Sequence, residues 1–174
     1  IPSRERSGAP AAGERSEPAA EYPYVLSADG LNVVRQGRAT AVLLPKADTG
    51  LFQFAPDNNL GTTAALQIGT NGQGAFGRGL FCFDIAGSIP AGSRIDAVTI
   101  SFTVTGAGSG VGADLHDLYR IQLGWVEGDG AGGHGEPASQ GESTWNSRFH
   151  GSDQWTVAGG SPGSDFASLP SAAG

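Results

Sequence analysis

The 174 residues carry a net charge of −7 and a sequence pI of about 4.7, a balance that repels phosphate backbones and argues against nucleic-acid binding. Glycine is the compositional outlier at 29 residues, more than twice the usual ~7%, a load that favours short strands joined by turns over long helices, where each Gly costs about 1 kcal/mol relative to Ala. No apolar run reaches the roughly eighteen residues of a membrane span, and a single cysteine, Cys82, excludes an internal disulfide.

Residues 1–38 are expected to be a flexible tail or linker. The first part, IPSRERSGAPAAGERSEPAAE, holds one large hydrophobe, Ile1, and cannot bury enough surface to offset its ordering entropy. Residues 22–40 are transitional, with Tyr22, Tyr24, Val25 and Leu26 reading either as a short strand or as a poorly ordered approach. From residue 39 onward, short β-type runs are predicted at 41–44, 51–54, 64–68, 80–85, 95–105, 118–126, 143–146 and 154–157. Turn clusters separate them, among them Pro56-Asp57-Asn58-Asn59, Asn71-Gly72-Gln73-Gly74 and Pro90-Ala91-Gly92-Ser93. The clearest period of two puts Val98, Ile100, Phe102 and Val104 on one face and Thr99, Ser101, Thr103 and Thr105 on the other. Tyr119, Ile121, Leu123 and Trp125 repeat it, as do Phe81, Phe83 and Ile85. No amphipathic helix separates the strands, so the predicted fold is an all-β, antiparallel sandwich of jelly-roll type spanning 39–174. Residues 127–142 read as a long, solvated Gly-rich loop, and 159–174 offer no strong final strand.

Several side chains carry candidate chemistry beside plainer readings. Asp48, Asp57, Asn58 and Asn59 supply the carboxylate and amide oxygens that calcium takes, whereas Asp and Asn in such a cluster equally make a turn by bonding their own backbone. Structural calcium is the one cofactor suggested. Asp84 is expected to end its strand by accepting local amides. Glu127, Asp129, His134, Glu136 and Glu142 share the long loop without any pattern for acid–base work, which needs rigidly placed carboxylates. His116, His134 and His150 lack zinc-ligand spacing, and Cys82, within an apolar run, reads as a small hydrophobe. Trp125 alternates with Leu123 and Ile121 and is assigned to the core. Trp145, beside Asn146 and Arg148, and Trp155, between Gln154 and Thr156, are candidate sugar-contacting residues. Core packing is the competing reading for both rings.

Four stretches resemble the DNRLRE-type domain, related to carbohydrate-binding module family 96, of secreted bacterial proteins. They are Lys46-Ala47-Asp48-Thr49 with Asp57-Asn58-Asn59-Leu60-Gly61; Leu66-Gln67-Ile68-Gly69; Arg78-Gly79-Leu80-Phe81-Cys82-Phe83-Asp84-Ile85 with Ile89-Pro90-Ala91-Gly92-Ser93-Arg94-Ile95; and Tyr119-Arg120-Ile121 with Trp125-Val126-Glu127-Gly128 leading to Ser143-Thr144-Trp145-Asn146. The likeness spans about residues 40–160. It implies a non-catalytic, extracellular or cell-surface role: polysaccharide binding or attachment, or a ligand-free structural domain beside other domains of a larger secreted protein. A glycan-cleaving enzyme is the remote alternative. Family members continue into closing strands, so the sandwich is expected to be incomplete at its C-terminal end.

Overall fold

A computed structural model describes residues 31–35, 39–106 and 115–174. The predicted tail 1–21 and, of the transitional stretch, residues 22–30 and 36–38 lie outside the described residues. In chain order the strands are β1 (Leu31–Arg35), β2 (Thr40–Leu43), β3 (Ala47–Phe52), β4 (Asn58–Asn59), β5 (Gly69–Thr70) and β6 (Phe76–Cys82). A single helical turn, α1 (Ile85–Ser88), follows, and then β7 (Ile95–Ile100), β8 (Asp117–Leu118), β9 (Glu136–Pro137), β10 (Ser147–Phe149), β11 (Asp153–Gln154) and β12 (Ala172–Ala173). The fold is all-β and its named strands pair antiparallel, in sheets ordered β2-β1-β7 and β3-β6-β5 and in three two-stranded pairs, β4-β9, β8-β12 and β10-β11. No helix among the described residues is long and apolar enough to cross a membrane.

Local chemistry explains several boundaries. Asp84 stops β6 and caps α1, its Oδ1 accepting from the Gly87 N–H at 3.0 Å. The 71–74 cluster makes the predicted turn. Asn71 Oδ1 accepts from the Gln73 and Ala75 amides while Gly74, at φ +81°, supplies the left-handed position. Gly50 lies in β3 because a Cβ there would sit 3.0 Å from the Phe52 ring and 3.1 Å from Leu60.

Other expectations are corrected. Leu31–Arg35 forms a strand paired with both β2 and β7, so the sheet begins before the expected boundary at 39. Residues 64–68 are loop, and the strand nearest them is the two-residue β5. The predicted strand 95–105 ends at Ile100, and 118–126 reduces to β8 and one bridge, Ile121 to Phe166. Residues 127–142 are tied into the fold more than expected, β9 pairing with β4 and Glu142 being buried, while half of the segment, both residues of β9 included, is exposed as a solvated loop would be.

The core has two parts. Leu51, Trp145 and Trp155 are buried together, with Leu80, Ile121, Leu123 and Trp125 packed around them, which agrees with the core assignment of Trp125. Leu43 is buried against Ala41, Phe83, Ile89 and Ile100. On the predicted apolar face of β7 and its extension, Val98, Phe102 and Val104 are exposed, against the expectation from their alternation.

Candidate functional site

The first core part rests on a polar framework centred on Asn59, which is fully buried. Its Nδ2 donates to the carbonyls of Glu127 at 2.7 Å and Ser143 at 2.9 Å, and to Thr49 Oγ1 at 3.3 Å. Its Oδ1 accepts from the Gly130 N–H at 3.0 Å. One side chain thereby ties β4 to both ends of the 127–142 segment. Glu142 closes that segment, accepting from the Asp129 and Ser139 amides. Asp165, also fully buried, accepts from the Thr156 and Ser161 amides and from the Thr156 hydroxyl, which fixes the last segment over the core. Buried polar groups satisfied in this way are stable; left unpaired, each would cost about 1–3 kcal/mol.

Beside this framework lies a polar cleft of about 380 Å³ whose walls include Asp57, Asn146, His150, Gln154, Trp155 and Thr156. Asp57 comes from the turn after β3, which is held by Asn58 N–H to Ala55 O at 3.0 Å and by Ala138 N–H to Asp57 O at 3.0 Å. Asn146 is fixed twice against that turn. Its amide donates to Pro56 O at 3.0 Å and its Nδ2 to Asp57 Oδ1 at 3.0 Å. The β10-β11 hairpin places Gln154, and the His150 amide donates to Glu142 O at 2.8 Å. His150 Nδ1 is buried without a partner among the described residues. Amides, a hydroxyl, an imidazole and a carboxylate together can donate to and accept from a polyhydroxylated ligand. Asp57 is the one carboxylate among these lining groups, whereas glycoside hydrolysis uses a facing pair.

The sequence-predicted residues divide. Asn146 and Trp155 line the cleft. Trp155 is 5% exposed, and its Nε1 donates to Thr144 O at 2.8 Å, so its ring belongs to the core and shows the cleft little of its surface. Trp145, 6% exposed, is covered by Gly159, where a Cβ would come within 2.5 Å of the ring, and lies under the Arg78 guanidinium, 5.3 Å from the ring centroid. Arg148 is not in the cleft wall; it is ion-paired with Asp153 and lies over Phe149. Neither Trp offers an open face for stacking.

The four calcium candidates have different surroundings. Asp48 lies beside Glu127, whose Oε1 accepts from the Asp48 amide at 2.8 Å; burial, then the Glu127 charge, raises the Asp48 pKa above the ordinary carboxylate value. Asp57 faces the cleft, Asn58 donates to the carbonyls of His134 and Gly135, and the Asn59 oxygen is already taken by Gly130. Among the described residues no group of three or more His, Cys, Asp or Glu is placed to hold a metal. His150, Gln154 and Thr156 were not singled out from the sequence as ligand groups. The flanks of Trp155 were the available signal, since Gln154 and Thr156 adjoin it.

No family model matches the chain, nor does any curated protein or solved structure.

Proposed function

We propose that this protein is a non-catalytic carbohydrate-binding or attachment module acting outside the cell, with the cleft beside β10 and β11 as its sugar site. The observation that carries this reading is the set of neutral polar side chains, Asn146, Gln154 and Thr156, around one cleft, with Asn146 held against Asp57 and Thr156 against the buried Asp165. Sugar hydroxyls need both donors and acceptors at fixed positions, and rigid supports reduce the ordering cost of binding. The likeness of four stretches to DNRLRE-type domains points to the same role, and with it to sheets packed as a jelly-roll sandwich.

A second reading, a structural domain without a ligand, is favoured by the burial of Trp145 and Trp155, which removes the stacking surface that sugar binders commonly use. A glycan array, run with and without chelator, separates the two. Binding to a defined polysaccharide that weakens about tenfold or more in Asn146→Ala and Gln154→Ala supports the cleft, since removing a hydrogen-bonding side chain from a paired site costs ~1–2 kcal/mol. Silence across the whole array supports the structural reading. Loss of binding on chelation brings calcium in, and retention leaves the sugar site metal-independent.

A further inference from the structure

We infer that the cleft selects by charge, taking glycans that bear free amino groups and rejecting uronates; this rests on the carbohydrate-binding reading above. Among the described lining residues the permanent charge at neutral pH is the Asp57 carboxylate, with no Lys or Arg in the wall. Arg148, the nearest cation in sequence, is spent on Asp153. One Asp57 oxygen is anchored by Asn146 Nδ2, which fixes the carboxylate's position. The other has no partner among the described residues, and Asp57 is exposed. Asn146 Nδ2 gives one of its two N–H groups to Asp57, and the amide oxygen adds an acceptor beside the carboxylate. A wall whose carboxylate is matched by no Lys or Arg suits a ligand that brings positive charge and donors. A sugar ammonium does both, with three N–H groups in one small cation. A uronate carboxylate would instead meet Asp57, and the net charge of −7 would oppose its approach. His150 is the other titratable wall group, and as imidazolium it would weaken this preference.

The test compares oligosaccharides of one backbone, fully N-acetylated and deacetylated glucosamine oligomers, with an oligouronate and with polylysine. Binding is measured to the whole chain by calorimetry, under conditions that keep the sugar amines protonated. The deacetylated oligomer is expected to bind tightest, the uronate weakest, and the difference to shrink as salt is added. Asp57→Asn should lower affinity for the deacetylated oligomer about two- to fivefold more than it changes affinity for the acetylated one, the range of an exposed charge pair. Asp129→Asn, which changes net charge equally outside the cleft, should alter neither affinity. Equal loss in both variants, or polylysine binding with the same Asp57 dependence, would reduce the effect to unspecific attraction and overturn the inference. Acetylated or uronate oligomers bound as tightly as the deacetylated one would sink charge selection while sparing the sugar site. Failure of every oligosaccharide would remove both.

Discussion

Strands β3 and β7 have the same length, six residues, and opposite surroundings. In β3, read Ala-Asp-Thr-Gly-Leu-Phe, the last four residues are buried. In β7, read Ile-Asp-Ala-Val-Thr-Ile, all but Ile100 are exposed. The more apolar strand is the more exposed one. Burial here therefore follows position relative to the polar framework rather than side-chain hydrophobicity. β3 lies against β4, whose Asn59 reaches Thr49, Glu127, Ser143 and Gly130, and so it is enclosed on both faces. β7 pairs with β1 and has no equivalent cover among the described residues.

The strongest way to break the comparison is to remove Asn59. Asn59→Ala leaves the Gly130 N–H and the Glu127 and Ser143 carbonyls without their partner in a fully buried site. The expected loss is at least ~3 kcal/mol, from several unsatisfied groups at about 1–3 kcal/mol each. Urea denaturation followed by tryptophan fluorescence measures it, because Trp145 and Trp155 lie in the same core part. A loss below ~1 kcal/mol would show that the framework is not what encloses β3.

Next in size is Asp165→Asn. The carboxylate accepts from two amides and a hydroxyl; an Asn can present an oxygen to some of these but turns an N–H₂ toward the rest. A loss of about 2–3 kcal/mol follows from hydrogen bonds to a charged group. Thermal unfolding checks it, and Asp165→Glu, which keeps the charge but lengthens the arm, should not restore the stability.

These two residues also mark the limits of what the sequence discloses. The all-β class, the Asn71 turn and the Asp84 stop were legible because each is local. Asp84 meets an amide three residues on, and period-two patterns need only a few neighbours. The role of Asn59 was not legible. Within Asp57-Asn58-Asn59 it reads as a turn or a calcium ligand, and its actual partners lie 68 and 84 residues away at Glu127 and Ser143. The anchoring of 127–142 was hidden for the same reason: its exposed residues read as a solvated loop, while its ties to Asn58 and Asn59 lie far off in sequence. Of the site, Asn146 and Trp155 were legible from aromatic and amide neighbours, while Asp57 and His150 reach the cleft through pairings no local pattern encodes.

Asp48, at the entrance to β3, sharpens the boundary between the two environments. Burial and then Glu127 raise its pKa, so the folded chain holds that proton more tightly than the unfolded one. Stability from this group therefore falls as pH rises from the ordinary aspartate value through the raised one. Asp48→Asn should gain less than ~1 kcal/mol at neutral pH, since solvent screens a partly exposed pair, and the gain should vanish at acid pH, where both forms are neutral. The amide bond to Glu127 is a backbone contact and survives the substitution. Denaturation midpoints across pH report the difference; a gain that persists in acid would assign it to something other than charge.

The smallest effect tests the exposed side of the comparison. Val98 is 54% exposed. Val98→Thr keeps the β-branched shape and the strand preference while replacing a methyl by a hydroxyl. In a packed core that swap is costly, because the hydroxyl loses water and finds no partner. On a solvent-facing strand the hydroxyl stays hydrated, and the change should lie within ~0.5 kcal/mol. A loss of ~1.5 kcal/mol or more by the same denaturation measurement would mean that Val98 is covered in solution, and the contrast between β3 and β7 would then be one of partner rather than of exposure.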